Sequence, residues 1–318
     1  MKICIVGPGV IEIPPKGWGA VEILIHDIRC QLEDLGHEVI VVNVRDKKGI
    51  IDAVNSSEPD FVHVHYEDHV DIVPHLNCSN VALTSHYGYF NQPHLWDDGY
   101  KRIVSQFINS SADIFALSSS IANIYCRLGV DFSRIRVVHN GVREDLFRYD
   151  KNCTYQERSL YLAKIDFRKR QHLFQKIPGL YFAGNLADSR FDSANDRYLG
   201  EWSKDFLYSN LTNYANLVLL SDGEAHPLVC LEALVSGLGI VISEFSTANL
   251  NLNLPFIDVV PESKIQDLDY ISKILKENRE KSVRMREEIR EYGLSFSWKK
   301  VVKDFYIPAV ENSLGKRI

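Results

Sequence analysis

Short apolar runs rich in β-branched residues alternate with segments of helical periodicity, and no other feature of the sequence restricts the fold as strongly. The run Lys2–Val6 ends at a glycine, residues 21–35 carry apolar side chains at helical spacing, and residues 38–44 are again apolar and β-branched. A strand, a helix and a second strand in this order predict a βαβ unit with parallel strands and a right-handed crossover. The alternation therefore predicts an α/β fold.

The alternation stops once, at residues 148–158, where the chain is polar and without periodicity. We interpret this stretch as a linker between two parallel sheets, since new strand-like runs start near Leu160. The 318 residues suffice for two domains of ordinary size. We expect domains over residues 1–150 and 151–297, followed by a last helix from residue 298. Sheets of this kind bind ligands at the carboxyl ends of their strands, here in the cleft between the domains.

Charge and cysteine content exclude several classes of protein. The 42 acidic and 36 basic residues give a net charge of −6, which argues against nucleic acid as a partner and requires a local pocket for any anionic ligand. No run approaches the ~20 apolar residues of a membrane span. Lys299, Lys300 and Lys303 are too few to indicate more than a peripheral membrane contact. Six scattered cysteines without a CxxC pair are typical of reduced thiols, so we expect a cytoplasmic protein.

Gly7 and Gly9 follow the first strand and resemble the start of a dinucleotide-binding loop. The full pattern needs a small residue where Glu12 stands and an acidic residue at the end of the second strand, where Asn43 or Arg45 stands. The mismatches argue against a Rossmann dehydrogenase.

Gly17 and Gly19 precede the first helix. Glycines at a helix N-terminus let an anion approach backbone N–H groups, where the helix dipole favours negative charge. A tight turn that lacks side chains for packing reasons explains them equally well.

Histidines end two of the predicted strands. His63 and His65 share a strand face, with His69 nearby, but no cysteine or carboxylate at ligand spacing completes a metal site, and we expect none. Polar side chains that line the cleft are the better interpretation. His86 ends the next strand and is a cleft candidate by position, while a purely structural histidine remains the alternative.

Lys164 ends the first predicted strand of the second series, and Lys169 follows it in the loop. We expect Lys169 near the start of the following helix, and two cations at a strand's carboxyl end can face one diphosphate. A solvated basic surface is the competing explanation.

The segment from Glu224 to Glu232 is the sharpest motif in the chain. Pro227 suits the first helical position, which would leave the N–H groups of Leu228 and Val229 pointing at the cleft. Carboxylates accept sugar hydroxyls, so the two glutamates can hold the sugar parts of a nucleotide sugar while the helix N-terminus holds its phosphates. The alternative is one solvent-facing glutamate and one favoured by the helix dipole.

These motifs together resemble the retaining GT-B glycosyltransferases of the large glycogen-synthase-like, α-mannosyltransferase-like family. The matching segments are Pro14-Pro15-x-Gly17-x-Gly19-x-x-Glu22, Gly36-His37-Glu38-Val39, His139-Asn140-Gly141-Val142 with Phe147, Lys164-x4-Lys169, and Glu224-x7-Glu232 followed by Ala233-Leu234-x-Ser236-Gly237. The resemblance extends from residue 1 to about residue 245.

The resemblance implies two Rossmann-like domains with parallel sheets facing across a cleft, the last helix returning to the first domain. It implies a nucleotide-sugar donor, a UDP- or GDP-sugar, bound mainly by the second domain without metal or cofactor. The acceptor, a carbohydrate, a lipid-linked glycan or a small molecule, would be recognised by loops of residues 1–150.

The resemblance also implies roles for individual residues. Glu232 would hold the ribose hydroxyls, and Lys164 with Lys169 the diphosphate. Glu224 would contact the transferred hexose, near the backbone N–H groups of Leu228 and Val229 that follow Pro227. Gly17 and Gly19 would approach the phosphates or the sugar, and His86 would lie near the reacting centre.

Several positions depart from the family pattern. Lys164 replaces an arginine and loses its bidentate fork, Ala225-His226 replaces Gly-Phe, and Gly239 replaces a proline. Two other functions remain open. A nucleotide-sugar 2-epimerase would release an epimerised sugar without an acceptor, and a non-catalytic protein would bind nucleotide sugars without turnover.

Overall fold

The computed structural model describes residues 1–17 and 19–315 and divides into two compact units. The first unit comprises Met1–Gly141 and the C-terminal segment from Trp298, and the second comprises Val142–Ser297. Trp18, inside the glycine loop, lies outside the described residues.

The first unit is built on a six-stranded parallel sheet with the strand order β2-β1-β3-β4-β5-β6. Its elements are β1 (Lys2–Val6), α1 (Ala20–Asp34), β2 (Glu38–Val42), α2 (Lys47–Ser57), β3 (Phe61–Val64), β4 (Val81–Leu83), α3 (Asp98–Asn109), β5 (Asp113–Ala116), α4 (Ser119–Arg127) and β6 (Ile135–Val137). The predicted βαβ unit is confirmed, because β1 pairs in parallel with β2 in the register Lys2↔Glu38.

Burial explains these elements. Ile3–Val6 of β1 are fully buried, as expected for a central strand covered on both faces. One face of helix α1 packs into the same core, and it is the face that the apolar spacing predicts. Its buried apolar residues are Leu24, Ile25, Ile28 and Leu32.

The second unit contains a five-stranded parallel sheet with the order β11-β10-β9-β7-β8. Its elements are β7 (Tyr155–Leu162), β8 (Leu180–Ala183), α5 (Lys204–Asn210), β9 (Tyr214–Leu219), α6 (Leu228–Val235), β10 (Gly239–Ser243), β11 (Ile257–Val260), α7 (Leu268–Arg284) and α8 (Arg286–Leu294). The α/β class with two parallel sheets is confirmed.

Two local expectations for the second unit are wrong. The stretch 148–158 is not a linker: the Arg148 N–H donates to the Tyr208 carbonyl at 2.9 Å, the Asp150 N–H donates to Thr212 Oγ1 at 3.0 Å, and β7 begins at Tyr155. These polar residues are tied to the unit by hydrogen bonds, which periodicity does not register. The helix expected after Lys169 is replaced by a loop that contains only a 3₁₀ turn at Gln171–Leu173.

The C-terminal segment of the first unit consists of α9 (Trp298–Val301), a π-helical turn (Val302–Tyr306) and α10 (Ile307–Gly315). Trp298, Val302 and Tyr306 are buried in the core that includes β1 and α1. A Cβ on Gly141 would lie 2.6 Å from Trp298 Cδ2, so this close packing requires glycine at residue 141. Within residues 1–17 and 19–315 no helix is long and apolar enough to cross a bilayer.

Candidate functional site

A buried ion pair marks the carboxyl end of the second sheet. Glu224, five residues after β9, is 9% exposed, and its Oε1 atom contacts the Lys169 ammonium. The Ser221 hydroxyl donates to the same oxygen at 2.6 Å. The structure thus brings together two of the residues assigned to the donor, from loops that are 55 residues apart in the chain.

The loop Asp166–Arg170 positions Lys169. The Lys169 N–H donates to Asp166 Oδ1 at 3.0 Å, which closes a tight turn, and Arg170 completes the turn with a φ of 58°. The turn leaves no room for the predicted helix start, because Arg170 has left-handed rather than helical backbone angles. Lys169 therefore projects from a loop.

Tyr161 links this loop by hydrogen bonds to the end of the neighbouring strand β9. Its buried hydroxyl donates to the Lys169 carbonyl and accepts the Leu220 N–H at 2.9 Å. The Arg170 Nε atom also donates to the Leu220 carbonyl, at 2.9 Å. Sequence reasoning assigned no role to Tyr161, although a tyrosine in a buried strand signals a hydroxyl that needs an internal partner.

Arg168 adds two hydrogen bonds between the same segments. Its Nη1 atom donates to the Gly223 carbonyl at 3.1 Å, and its own carbonyl accepts the Asp222 N–H at 3.0 Å. The loop that carries Lys169 and the loop that carries Glu224 are therefore joined along their length, and the ion pair has fixed supports.

The electrostatics of Glu224 favour its ionised form. Burial by itself raises the pKa of a carboxyl, but the charges of Lys169 and Arg168 and the hydrogen bonds from Lys169 and Ser221 outweigh it, so the pKa lies below its ordinary 4.5. Glu224 is accordingly a permanent acceptor at neutral pH, not an acid.

Helix α6 begins at Leu228, four residues after Glu224. Pro227 is the residue before the helix, with a ψ of 114°, and not the first helical residue as predicted. The physical reason is that the extended backbone at Pro227 redirects the chain before Leu228 begins the helix. Leu228 and Val229 are then the first two helical residues, whose N–H groups lack intrahelical acceptors.

The remaining predicted donor residues of the second unit are more accessible. Lys164 is exposed two residues after β7, and its carbonyl accepts from Gln171 Nε2 at 2.9 Å. Glu232 lies on α6, one turn after Leu228, and is partly exposed.

The glycine loop of the first unit has a packing explanation at one position. Gly19 caps α1 with a φ of 144°, and a Cβ there would lie 3.0 Å from Glu22 Oε2 and 3.2 Å from Pro15 Cβ. Gly17 is exposed, and its role in ligand binding stays a prediction.

Asn43 explains the incomplete dinucleotide motif. Its side chain accepts the Gly9 N–H at 2.8 Å and donates to the Ile11 carbonyl at 2.8 Å. A Cβ on Gly7 would lie 2.7 Å from Asn43 Oδ1. The glycines therefore serve a loop held by Asn43.

Hydrogen bonding fixes the proton of His63. Thr84 Oγ1 donates to the Phe115 carbonyl at 2.9 Å, so it must accept from His63 Nε2 at 2.8 Å. His63 Nδ1 then accepts the Tyr306 hydroxyl at 3.1 Å. Both ring nitrogens are used, which leaves none for a metal, and in the described part of the chain no three His, Cys, Asp or Glu side chains are grouped as metal ligands.

His65 and His86 form a second pair, with 3.1 Å between His65 Nδ1 and His86 Nε2. His65 Nε2 is buried and has no hydrogen-bond partner in the described part of the chain. An unpaired buried donor is rarer than an unpaired acceptor, so the shared proton belongs on His65 Nδ1 and the His86 proton on Nδ1. Burial lowers the pKa of His86 to about 4, and His86 is a neutral donor.

Glu67 holds the backbone at His86. Its Oε1 atom accepts the His86 N–H at 2.9 Å and the Ser85 hydroxyl at 2.6 Å. Burial raises the pKa of Glu67. The sequence places Glu67 beside the strand-end histidines, but its link to His86 depends on tertiary structure.

Comparison with known proteins identifies related sequences and folds. Residues 47–146 match the model of Glycosyltransferase Family 4. No curated protein sequence is significantly similar to the chain.

Several solved structures share the whole fold. Sucrose-phosphate synthase from Thermosynechococcus elongatus superimposes with a TM-score of 0.77 at 14% identity, with 100% of both chains covered. HepE from Anabaena, in complex with UDP and glucose, gives 0.73 at 13% identity, covering 98% of this chain and 100% of HepE. The apo form of the lipopolysaccharide outer core galactosyltransferase WaaB gives 0.70 at 16% identity, with 100% of both chains covered. The GT-B fold and the family resemblance are confirmed.

Proposed function

We propose that this chain, a family 4 glycosyltransferase of GT-B fold, transfers a hexosyl group from a nucleoside-diphosphate sugar to an acceptor hydroxyl and retains the anomeric configuration. The observation that carries the proposal is the Lys169–Glu224 pair, buried at the carboxyl end of the second sheet immediately before the N-terminus of α6. A cation, a carboxylate and free helix N–H groups in one place are what a sugar diphosphate requires.

The phosphates of the donor are assigned to Lys164, Lys169 and the N-terminus of α6 at Leu228 and Val229. These groups stabilise the negative charge that grows on the leaving diphosphate. Because they are positioned before the reaction, no metal ion is needed for this role. The Lys169 side chain is only 12% exposed. Because charges interact more strongly away from water, its attraction for phosphate is stronger than that of a solvated lysine.

The sugars of the donor are assigned to two glutamates. Glu224 accepts a hydroxyl of the transferred hexose, and Glu232 accepts the ribose hydroxyls. In the retaining mechanism implied by the family, the acceptor attacks the same face of the hexose from which the leaving group departs. The reaction passes through an oxocarbenium-like state and needs no enzyme nucleophile. The ionised state of Glu224 suits this role, because a carboxylate stabilises nearby positive charge.

The first unit supplies candidates of its own. His86, as a neutral donor, and the glycines Gly17 and Gly19 are proposed to contact the sugar or phosphates of the donor. A carbohydrate, a lipid-linked glycan or a small molecule is proposed as the acceptor, bound by loops of residues 1–150.

Calorimetric titration with UDP-, GDP-, ADP- and dTDP-sugars tests the proposal. We expect one base to give binding, and Lys169→Ala to weaken it at least 10-fold, whereas Lys273→Ala, which removes an exposed lysine of α7, leaves it unchanged. Glu224→Ala should lower kcat by about 100-fold with little change in nucleotide binding. If none of the four donors binds, the proposed function is wrong.

Product analysis separates the two alternatives. An epimerase converts the donor to its epimer without an acceptor, and a non-catalytic binding protein leaves the donor intact. Transfer or slow hydrolysis of the hexose, with release of the nucleoside diphosphate, supports the transferase.

A further inference from the structure

Ser221 is a fully buried residue beside Glu224. It lies two residues after the end of β9, is 0% exposed, and donates its hydroxyl to Glu224 Oε1 at 2.6 Å. Its own carbonyl accepts the Ser243 hydroxyl at 2.5 Å, from the end of the neighbouring strand β10. The backbone of Ser221 is therefore held by the sheet, and its side chain transmits that position to the carboxylate.

Both supports of the carboxylate act on one oxygen. The Lys169 ammonium and the Ser221 hydroxyl both contact Oε1, and two donors fill the acceptor positions of one carboxylate oxygen. A carboxylate has about four acceptor positions on its two oxygens. With Oε1 occupied, Oε2 is the oxygen left for a ligand.

The two supports differ in what a bound donor does to them. Lys169 is also the candidate ligand of the diphosphate, so its ammonium is shared with, or drawn away by, a phosphate. Ser221 is neutral and buried and has no competing role. Its hydrogen bond is the one that keeps the carboxylate in place when Lys169 turns to the donor.

We propose that Ser221 is a positioning residue, which holds Glu224 Oε1 so that only Oε2 faces the hexose and accepts a single sugar hydroxyl. This inference deepens the proposed function and rests on it. It narrows the expectation that Glu224 accepts sugar hydroxyls to one of its two oxygens.

The other groups that face Glu224 cannot replace Ser221. Lys169 and Arg168 are the cations that act on it, and Cys230 and Tyr161 are neutral because burial raises the pKa of each. None of them adds a neutral hydroxyl donor to Oε1. Loss of the Ser221 hydroxyl therefore leaves the charge compensated but the carboxylate free to rotate.

The test compares Ser221→Ala with Ser282→Ala, a control that removes an equally buried serine hydroxyl from α7, where it donates to the Asn278 carbonyl at 2.7 Å. We expect Ser221→Ala to lower kcat about 10-fold, as for a lost hydrogen bond to a charged group, while the Kd for the nucleoside diphosphate without its sugar stays within about 2-fold. The acidic limb of the kcat–pH profile should move to higher pH, because a bond that favours the ionised carboxylate is lost. Ser282→Ala should change none of these quantities.

A second readout is independent of turnover. Carbon-13 NMR of the Glu224 carboxyl, assigned from its absence in Glu224→Gln, should give a higher pKa in Ser221→Ala than in the wild type. Ser221→Cys, which keeps a weak donor, serves if the alanine variant does not fold, and its pKa and kcat should lie between the two.

Each outcome decides one question. An unchanged Glu224 pKa, or a shifted pKa with wild-type kcat, overturns the positioning role. Equal losses from Ser221→Ala and Ser282→Ala indicate a purely structural effect and overturn it as well. A wild-type protein that binds no nucleotide sugar overturns the proposed function, while the NMR titration still decides whether Ser221 holds the carboxylate.

Discussion

Replacing Lys169 by methionine should make the second unit unstable in a pH-dependent way. The side chains of Lys169 and Glu224 are only 12% and 10% exposed, so the variant leaves an almost buried carboxylate without its main counter-charge. Removing one member of a buried pair costs about 3–5 kcal/mol. Because Ser221 and Arg168 still act on Glu224, we expect the lower end, about 3 kcal/mol at pH 8.

The pH dependence has a definite sign. In the wild type the pKa of Glu224 is held below 4.5, so the pair stabilises the fold above that pH and loses its effect as the pH falls. In Lys169→Met burial acts with less opposition and the pKa of Glu224 rises above 4.5. The penalty then grows as the pH rises from 4.5 towards the new pKa, and above that pKa it stays at about 1.4 kcal/mol for every pH unit that separates the new pKa from 4.5. Within the range from pH 5 to pH 8, the variant should be closest to wild-type stability at pH 5.

Hydrogen exchange of the β9 amides measures this in the full chain, because the fully buried strand Tyr214–Leu219 opens with the core of its own unit. After correction for intrinsic exchange, protection in Lys169→Met should fall far more at pH 8 than at pH 5. The double variant Lys169→Met/Glu224→Gln should recover most of the loss, since no unpaired charge remains. Equal destabilisation at both pH values, or no recovery in the double variant, would refute the reasoning.

Three further predictions concern other parts of the chain. Nitrogen-15 NMR should find His86 neutral with its proton on Nδ1 from pH 5 to 8, because burial lowers its pKa to about 4; titration near pH 6.5 would contradict this. Gly239→Ala should destabilise the second unit by about 2 kcal/mol in chemical denaturation, because its Cβ would lie 2.1 Å from Ser282 Oγ, and Ser282→Gly in the same chain should restore part of the loss. Glu232→Gln should weaken the binding of a ribonucleoside diphosphate, measured by calorimetry, about 10-fold, and that of its 2′-deoxy analogue much less. Equal weakening of both would show that Glu232 does not contact the ribose hydroxyls.

Local pattern was sufficient for the framework of the fold. The strand Lys2–Val6 was predicted with its observed bounds, and the bounds of α1 were predicted to within about two residues, because burial on the sheet imposes their apolar spacing. Helix α2 was not predicted. It begins with Lys47-Lys48-Gly49, and only Ile50 and Val54 are buried, which is too short an apolar pattern to indicate a helix.

Tertiary hydrogen bonds account for most of what the sequence did not reveal. The turn at Lys169 exists because Tyr161 and Asp166 bind its backbone, and the polar stretch 148–152 is held by partners more than 50 residues away. The family resemblance implied that Glu224 and Lys169 serve one ligand. It did not predict their direct contact or the serine that shares it, because both depend on how two loops meet.

The stereochemistry of transfer tests the central claim most directly. Proton NMR of the sugar formed from an α-linked nucleoside-diphosphate hexose, recorded before mutarotation and with water as the acceptor, identifies the anomer produced. We predict the α-anomer, formed in the wild type and about 100-fold more slowly in Glu224→Ala. A β-anomer, an epimerised hexose, or an undiminished rate in Glu224→Ala would contradict retaining transfer at this site.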